Sequence, residues 1–87
     1  MSTTEILMLL AKKKGAYIFD DVGTSEIVLR EADSSDMILV DDDGRQISPR
    51  FPYALIEGSI QQRYITQDTG DRRIYRISDD GLRAAQS

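Results

Sequence analysis

The C-terminal third of the chain constrains the fold more than any other segment. Residues 60–85 read IQQRYITQDTGDRRIYRISDDGLRAA, in which two β-rich segments, 61–67 and 72–77, flank the turn Asp68–Asp71. Aspartate and glycine in a short loop between such segments favour a tight reversal of the backbone. Ser78 then precedes two acidic residues, a pattern typical of a helix N-terminus. The sequence therefore predicts a β-hairpin followed by a short, capped helix.

Four arginines lie on or near this predicted hairpin and are the main candidates for contacting a ligand. Arginine donates hydrogen bonds from a planar guanidinium whose geometry suits phosphate and guanine. The same side chains could instead pair with Asp68, Asp71 or cross-strand acids, and exposed pairs of this kind contribute only about 0–1 kcal/mol. Nucleic-acid contact, solvated pairing and protein contact all stay open at this point. The four residues are Arg63, Arg72, Arg73 and Arg76.

The first residues predict an amphipathic helix over 2–14. Ser2 and Glu5 have the spacing of a capping box, and Gly15 supplies a left-handed residue to end the helix. The apolar residues of this segment recur at helical spacing and give it one face for the core. Lysines at its end either complement the helix dipole or contact an acidic partner. They are Lys12, Lys13 and Lys14.

Between residues 16 and 47 the pattern changes from helical to strand-like. The runs AYIF, EIVLR and MILV are separated by turn-rich segments, so we expect two or three antiparallel strands with turns at Val22–Gly23 and Asp43–Gly44. The apolar run MILV predicts a segment buried on both faces. In EIVLR, by contrast, Ile27 and Leu29 alternate with their neighbours, so only one face needs to be covered.

The acidic loops of this region do not have the pattern of a calcium site. If Gly44 is placed at the sixth position of an EF-hand loop, Leu39 falls on the first position and Arg50 on the twelfth, where acids are required. We therefore expect these aspartates to stabilise turns by accepting nearby backbone N–H groups.

Composition narrows the functional classes. The 87 residues predict one domain spanning 1–87, and the chain contains neither Cys nor His. Disulfides, thiolate or imidazole metal sites and Cys–His or Ser–His nucleophiles are thereby excluded. No glycine-rich phosphate loop follows a strand, so we expect no cofactor and no enzymatic activity. No apolar run reaches the length of a membrane span and no signal peptide is present, so we expect a cytoplasmic protein without membrane association.

Charge is distributed unevenly along the chain. The formal net charge is −4, and residues 16–44 contain nine acids against Arg30 alone. The segments on either side, 1–15 and 45–87, each carry a small positive charge. A chain of this kind has an oriented electrostatic field, and nucleic acid could approach only from its basic side.

A further helix is predicted immediately before the hairpin. Ser48 can cap its N-terminus with Pro49 at the first helical position, and the helix would run over Ser48–Glu57 before Gly58–Ser59 end it. Pro52 removes a hydrogen bond early in this segment, so the helix begins irregularly or restarts at Pro52.

Residues 47–85 resemble the C-terminal half of a winged-helix domain, as found in small bacterial and phage transcription regulators. The resemblance rests on the helix ISPRFPYALIEGS, the hairpin RYITQDTGDRRIYRIS and the closing segment DDGLRAA. Tyr75–Gly81 resembles the tyrosine-x-leucine-threonine-x-x-glycine ending of that family. It implies an α+β, winged-helix-like fold with an N-terminal helix, a small antiparallel sheet, a central helix, a β-hairpin wing and a short C-terminal helix. Winged-helix domains normally place three helices before the wing, whereas this chain has its β-rich region at 16–47.

The resemblance also implies a function in DNA binding and transcription regulation, with the protein a possible homodimer. The helix that reads the groove would present Arg50 and Tyr53, and the wing would span Arg63–Arg76, with Arg72 and Arg73 reaching the DNA backbone. The alternative is a protein-interaction module that docks a basic partner, or mimics nucleic acid, as a phage-type inhibitor does. Its acidic residues would be Asp20, Asp21, Asp41, Asp42 and Asp43.

Overall fold

Three helices and two antiparallel sheets make up the α+β fold. The computed structural model describes all 87 residues, Met1–Ser87. None of the three helices is long and apolar enough to cross a bilayer. The elements in chain order are α1 (Thr3–Lys12), β1 (Tyr17–Asp21), β2 (Glu26–Arg30), β3 (Leu39–Val40), β4 (Gln46–Ile47), β5 (Arg50–Pro52), α2 (Ala54–Gln61), β6 (Ile65–Gln67), β7 (Ile74–Ile77) and α3 (Asp79–Gln86).

The larger sheet has five strands in the order β5-β2-β1-β7-β6, and β3 and β4 form a separate two-stranded ribbon. The hairpin β6–β7 joins the N-terminal hairpin β1–β2 because β7 pairs with β1, with Ile18 opposite Tyr75 and Phe19 opposite Ile74. The C-terminal hairpin is therefore held in a larger sheet, and its arginines have a fixed position relative to strands far away in sequence.

The core lies between one face of this sheet and the helices. Strand residues Ile18, Ile27 and Leu29 are fully buried, and Ile6 of α1 and Ile56 of α2 are buried against the same cluster. Burial of each such side chain contributes about 1.5–3 kcal/mol. We refer to the sheet face toward the helices as the inner face and to the opposite one as the outer face.

The N-terminal helix forms as predicted at its start and ends earlier than predicted. Ser2 Oγ accepts the Glu5 N–H at 3.3 Å, and the Glu5 carboxylate accepts the Ser2 N–H at 3.3 Å, which completes the capping box. The helix ends at Lys12, because Lys13 is already extended. Gly15 does adopt a left-handed conformation, with φ of 82°, and a Cβ there would lie 2.8 Å from the Ala32 Cβ.

The predicted helix Ser48–Glu57 is wrong in its first half. Arg50–Pro52 forms strand β5, which pairs with β2, and the helix starts only at Ala54. Each proline disfavours a helical conformation at the residue before it. A proline is tolerated in an edge strand, because the N–H that it lacks would face solvent and not a neighbouring strand. Gly58 and Ser59 do not end α2, which continues to Gln61.

The C-terminal hairpin is shorter than predicted but has the predicted order. Its strands are Ile65–Gln67 and Ile74–Ile77, against the predicted 61–67 and 72–77, so residues 68–73 form the connecting loop. Ser78 caps α3 as predicted, with its Oγ accepting the Gly81 N–H at 3.1 Å.

Two burial predictions in the β-rich region were wrong. In MILV, Met37 and Leu39 are buried while Ile38 and Val40 are exposed, so the segment is covered on one face only. In EIVLR, Val28 is buried between its neighbours Ile27 and Leu29, so β2 is covered on both faces. Val28 points to the outer face, where its cross-strand neighbours are Phe19 of β1 and Arg50 of β5.

The loop aspartates stabilise turns, as predicted. Asp33 accepts the Ser35 N–H at 2.9 Å, and Asp41 accepts the N–H groups of Asp43 and Arg45 at 2.9 and 2.8 Å. No group of three acidic residues is arranged to hold a metal ion.

Candidate nucleic-acid interface

The outer face of the five-stranded sheet brings together aromatic and basic residues that are distant in sequence. On β1, Tyr17 and Phe19 point to this face, and the register places Tyr17 opposite Arg30 of β2. Because Phe19 stands opposite Ile74, the next outward position of β7 is Arg76, beside Tyr17. Strand pairing therefore builds a mixed aromatic and basic surface, which we name the arginine face; its basic members are Arg30, Arg50, Arg73 and Arg76.

Three of these arginines lie over the two aromatic rings. The guanidinium carbons of Arg30 and Arg73 lie 4.4 and 5.4 Å from the centroid of the Phe19 ring. That of Arg76 lies 5.4 Å from the centroid of Tyr17. Each such cation–π contact at an exposed site is worth about 0.5–1 kcal/mol. The contacts order three guanidinium groups, one from β2 and two from the hairpin, on one surface.

Every arginine of this face also pairs with a carboxylate. Arg30 lies 3.3 Å from Asp36, Arg73 lies 3.2 Å from Asp71, and Arg76 lies 3.2 Å from Asp68. Arg50 lies 3.0 Å from Asp21 and 3.7 Å from Glu26. The solvated pairing considered for the hairpin arginines is thus present for Arg73 and Arg76. These pairs neutralise the face, so its arginines are positioned donors rather than a surplus of positive charge.

The loop of the hairpin is organised by two aspartates. The Asp68 carboxylate accepts the N–H groups of Gly70 and Asp71 at 2.9 and 3.1 Å and pairs with Arg76, and these bonds hold the pKa of Asp68 below its usual value. Hydrogen bonds from Arg73 lower the pKa of Asp71 in the same way, and the pKa of Arg73 rises in return. Both carboxylates therefore hold the loop closed around the arginines.

Arg72 and Arg63 differ from the other predicted hairpin residues. Arg72 is exposed in the loop and is the hairpin's only arginine without a carboxylate partner, which leaves its guanidinium available to a ligand. Arg63 does not belong to the hairpin. It follows α2 in a left-handed turn with φ of 62°, and its carbonyl oxygen accepts the Ser78 hydroxyl. The prediction that Arg63 is part of the wing is therefore wrong.

Neither residue predicted for the groove-reading helix lies on α2. Arg50 is on β5 at the edge of the sheet, for the reason given above. Tyr53 immediately precedes α2, half-buried, with its ring edge-on to Tyr75 at 6.5 Å between centroids. Burial, the neighbouring Tyr75 and the charges of Asp20 and Glu57 raise the pKa of Tyr53 to about 12. Tyr53 thus packs against the core and is not an exposed contact residue.

The surface around α2 is acidic. The helix Ala54–Gln61 contains Glu57 and no cation. A groove of about 440 Å³ runs beside its first turn, and both of its charged lining residues, Asp20 and Glu57, are acids. A helix of this charge offers nothing to the phosphates that flank a DNA groove.

The acidic residues of the alternative hypothesis do not form one surface. Asp20 lines the groove beside Tyr53, and Asp21 is bound to Arg50. The turn that contains Asp41–Asp43 belongs to the separate β3–β4 ribbon, which begins at the opposite end of β2. The predicted acidic segment is thus divided between two ends of the sheet.

Sequence reasoning missed Tyr17, Phe19 and Arg30. The only signal was the alternation of the two aromatics along β1, which placed them on one face without saying what would cover it. No family model, curated protein or solved structure matches this chain.

Proposed function

We propose that this chain is a binding domain that contacts the backbone of DNA through the arginine face and the loop of the β6–β7 hairpin. The observation that carries the proposal is the convergence of Arg30, Arg73 and Arg76 on two adjacent aromatic rings. Together with the unpaired Arg72, they offer donors from two distant segments of the chain, β2 and the hairpin, on one surface.

Paired arginines still have donors for phosphate. A guanidinium carries five N–H donors, and Asp71 uses the Nε and one terminal nitrogen of Arg73. The remaining donors are free to bond phosphate oxygens, and the carboxylate holds the group in place so that little side-chain entropy is lost on binding. Such contacts position a protein on DNA without reading its sequence.

The winged-helix resemblance supports the same proposal, although the order of elements before the hairpin differs from the one that it implies. The hairpin stands between α2 and α3, as the resemblance implies, but only α1 and α2 precede it, and strands β1–β5 separate those two helices. Because α2 lacks cations, the domain would bind through its hairpin and sheet rather than through a groove-reading helix. A role in transcription regulation belongs to this proposal and rests on the resemblance alone.

The test is the affinity of a fluorescently labelled DNA duplex, measured by anisotropy for the wild type and two matched double variants. Arg72→Ala with Arg73→Ala should weaken binding by at least tenfold, because the two guanidinium groups of the hairpin loop are lost. Arg45→Ala with Arg83→Ala removes the same charge outside the arginine face and should weaken binding much less. Equal losses in the two double variants, or no binding by the wild type at low salt, would refute the proposal.

A second candidate function is favoured by the acidic groove beside α2, where Asp20 and Glu57 lie next to the Tyr53 side chain. These residues would receive a basic side chain of a protein partner. Co-purification from native lysate, scored for DNA against protein, separates the two candidates. If the second is right, the wild type retains a basic protein that the variant Asp20→Asn with Glu57→Gln loses.

A further inference from the structure

An exposed apolar surface lies between α1 and the β3–β4 ribbon, away from the arginine face. Met8 is 53% exposed, Ile38 73% and Val40 62%. These side chains line a groove of about 760 Å³ that also reaches Leu9 and the end of α3 at Ala85. We name Met8, Leu9, Ile38 and Val40 the α1–β3 patch. Contiguous exposed apolar residues of this kind mark surfaces that bind other proteins.

Strand β3 lies in a run of apolar residues, Met37–Val40, which is typical of a segment buried on both faces. Leu39 faces the core and is 6% exposed, while Ile38 and Val40, on the opposite face, are among the most exposed large apolar residues of the chain. Sequence reasoning predicted burial of this run on both faces. A single copy of the chain buries only one of them.

The two ends of the patch carry opposite charge. At one end, Lys12 lines the groove and pairs with no acid. The neighbouring Lys13 fixes this end beside β2, because it bonds Glu31 at 2.7 Å.

The acidic end follows from the direction of β3. The segment leaves β2 at residues 36–37, where Met37 N–H bonds the Leu29 carbonyl, and it then runs along α1. Beyond Val40 comes the turn with Asp42 and Asp43, neither of which has a cationic partner.

We infer that the α1–β3 patch is the interface of a two-fold symmetric dimer of this chain. In such an interface the same surface meets itself, so a patch must be complementary to its own rotated copy. An apolar centre with lysines at one end and aspartates at the other meets this requirement. Rotation brings Lys12 of one copy toward Asp42 and Asp43 of its partner and covers the exposed side of β3.

The dimer is independent of the proposed DNA contact. α1 packs on the inner face of the sheet, so the arginine face of each copy stays uncovered. Failure of one proposal therefore leaves the other unaffected, because the dimer is measured by molecular mass and the proposed function by DNA affinity.

Sedimentation equilibrium of the full chain, from micromolar to millimolar concentration, tests the inference. The wild type should show a concentration-dependent dimer, and Ile38→Glu with Val40→Glu should weaken it at least a hundredfold, since symmetry places four acids in the apolar centre. Val22→Glu, at a residue 71% exposed in the β1–β2 turn, is the matched control and should dimerise like the wild type. A wild type that stays monomeric throughout would overturn the inference.

A charge exchange separates self-association from binding of a different partner. Lys12→Glu, and separately Asp42→Lys with Asp43→Lys, should each yield monomers, because like charges meet in the homodimer. An equal mixture of the two variants should form a heterodimer, because both of its contacts are again complementary. Absence of a heterodimer, with both variants folded by circular dichroism, would contradict the proposed orientation.

Discussion

The packing around Gly81 explains why a glycine stands at the end of the segment Tyr75–Gly81. Gly81 lies in the first turn of α3, packed against the backbone of Tyr64, and a Cβ there would clash with the Tyr64 carbonyl oxygen and lie 2.7 Å from Ile77 Cγ1. That carbonyl already accepts the Ser78 N–H at 2.8 Å, so it cannot move without loosening the start of α3. Glycine at position 81 is thus required by close packing of α3 on the hairpin.

Gly81→Ala should therefore destabilise the protein, although alanine favours helices. We expect a loss of about 2 kcal/mol in the free energy of unfolding, typical of overpacking against backbone. Gly58 provides the matched control, because it lies within α2 and a Cβ there meets nothing within 4 Å. Gly58→Ala should raise the free energy of unfolding by about 0.5–1 kcal/mol. Urea denaturation of the two variants checks both values, and a neutral Gly81→Ala would contradict the packing argument.

At the scale of elements, prolines and strand pairing determined the secondary structure of a segment whose local propensity was ambiguous. Ser48–Glu57 has a good helix-start signal, yet β2 has an unpaired edge at Glu26–Val28 that residues 50–52 satisfy. The strand forms because residues 50–52 make backbone hydrogen bonds to β2 that a helix at this position would leave unmade. Ser48 still accepts a backbone N–H, that of Arg50 at 3.2 Å, but it stabilises a turn and not a helix.

The hairpin is an element whose stability should depend on pH through Asp68. The pKa of this carboxyl is lowered in the fold below its ordinary 3.8, first by the Gly70 N–H and then by Arg76. Its contribution is therefore fully present above about pH 3.8 and is lost as pH falls through the folded-state value. Asp68→Ala should lower the melting temperature by a few degrees at neutral pH, and the difference from the wild type should shrink below pH 3.8.

Thr69→Ala is the control for that experiment, because Thr69 lies in the same loop, is exposed and makes no hydrogen bond through its side chain. It should melt like the wild type at every pH. A difference between Asp68→Ala and the wild type that stays constant down to the lowest pH would show that the carboxylate does not stabilise the loop.

For the whole molecule, the balance of charge matters more than the number of arginines. The arginine face has acids beside each of its basic groups, and the chain as a whole carries a net charge of −4. Arg50 is already bound to both Asp21 and Glu26, so four arginines, Arg30, Arg72, Arg73 and Arg76, are placed to meet phosphates. The logarithm of DNA affinity should then fall with the logarithm of salt concentration with a slope no steeper than about −4.

Removal of a single competing acid should strengthen DNA binding. Asp36 pairs with Arg30 from an exposed position, with 59% of its side chain accessible, so Asp36→Asn frees a guanidinium without opening a turn bonded to that carboxylate. We expect several-fold tighter binding and a steeper salt dependence, measured by anisotropy. Asp43→Asn makes the same change of charge in the β3–β4 turn, and an equal gain there would point to net charge alone as the cause.

The sequence by itself determined the elements whose signals are local. The capping box of α1, the hairpin loop with its two aspartates and the Ser78 cap all depend on contacts between residues two to four positions apart. Such contacts need no partner from a distant part of the chain, so pattern and composition were sufficient to predict them. The same holds for the turn role of Asp33 and Asp41.

The tertiary structure alone decided where those elements meet. Pairing of β1 with β7 set Phe19 and Tyr17 beneath arginines from β2 and the hairpin, and pairing of β2 with β5 removed Arg50 from the predicted helix. Strand register is a long-range property that depends on which apolar faces the core can bury together, and no local pattern contains it. The candidate site is made from such long-range pairings, whereas the motifs that suggested it are local.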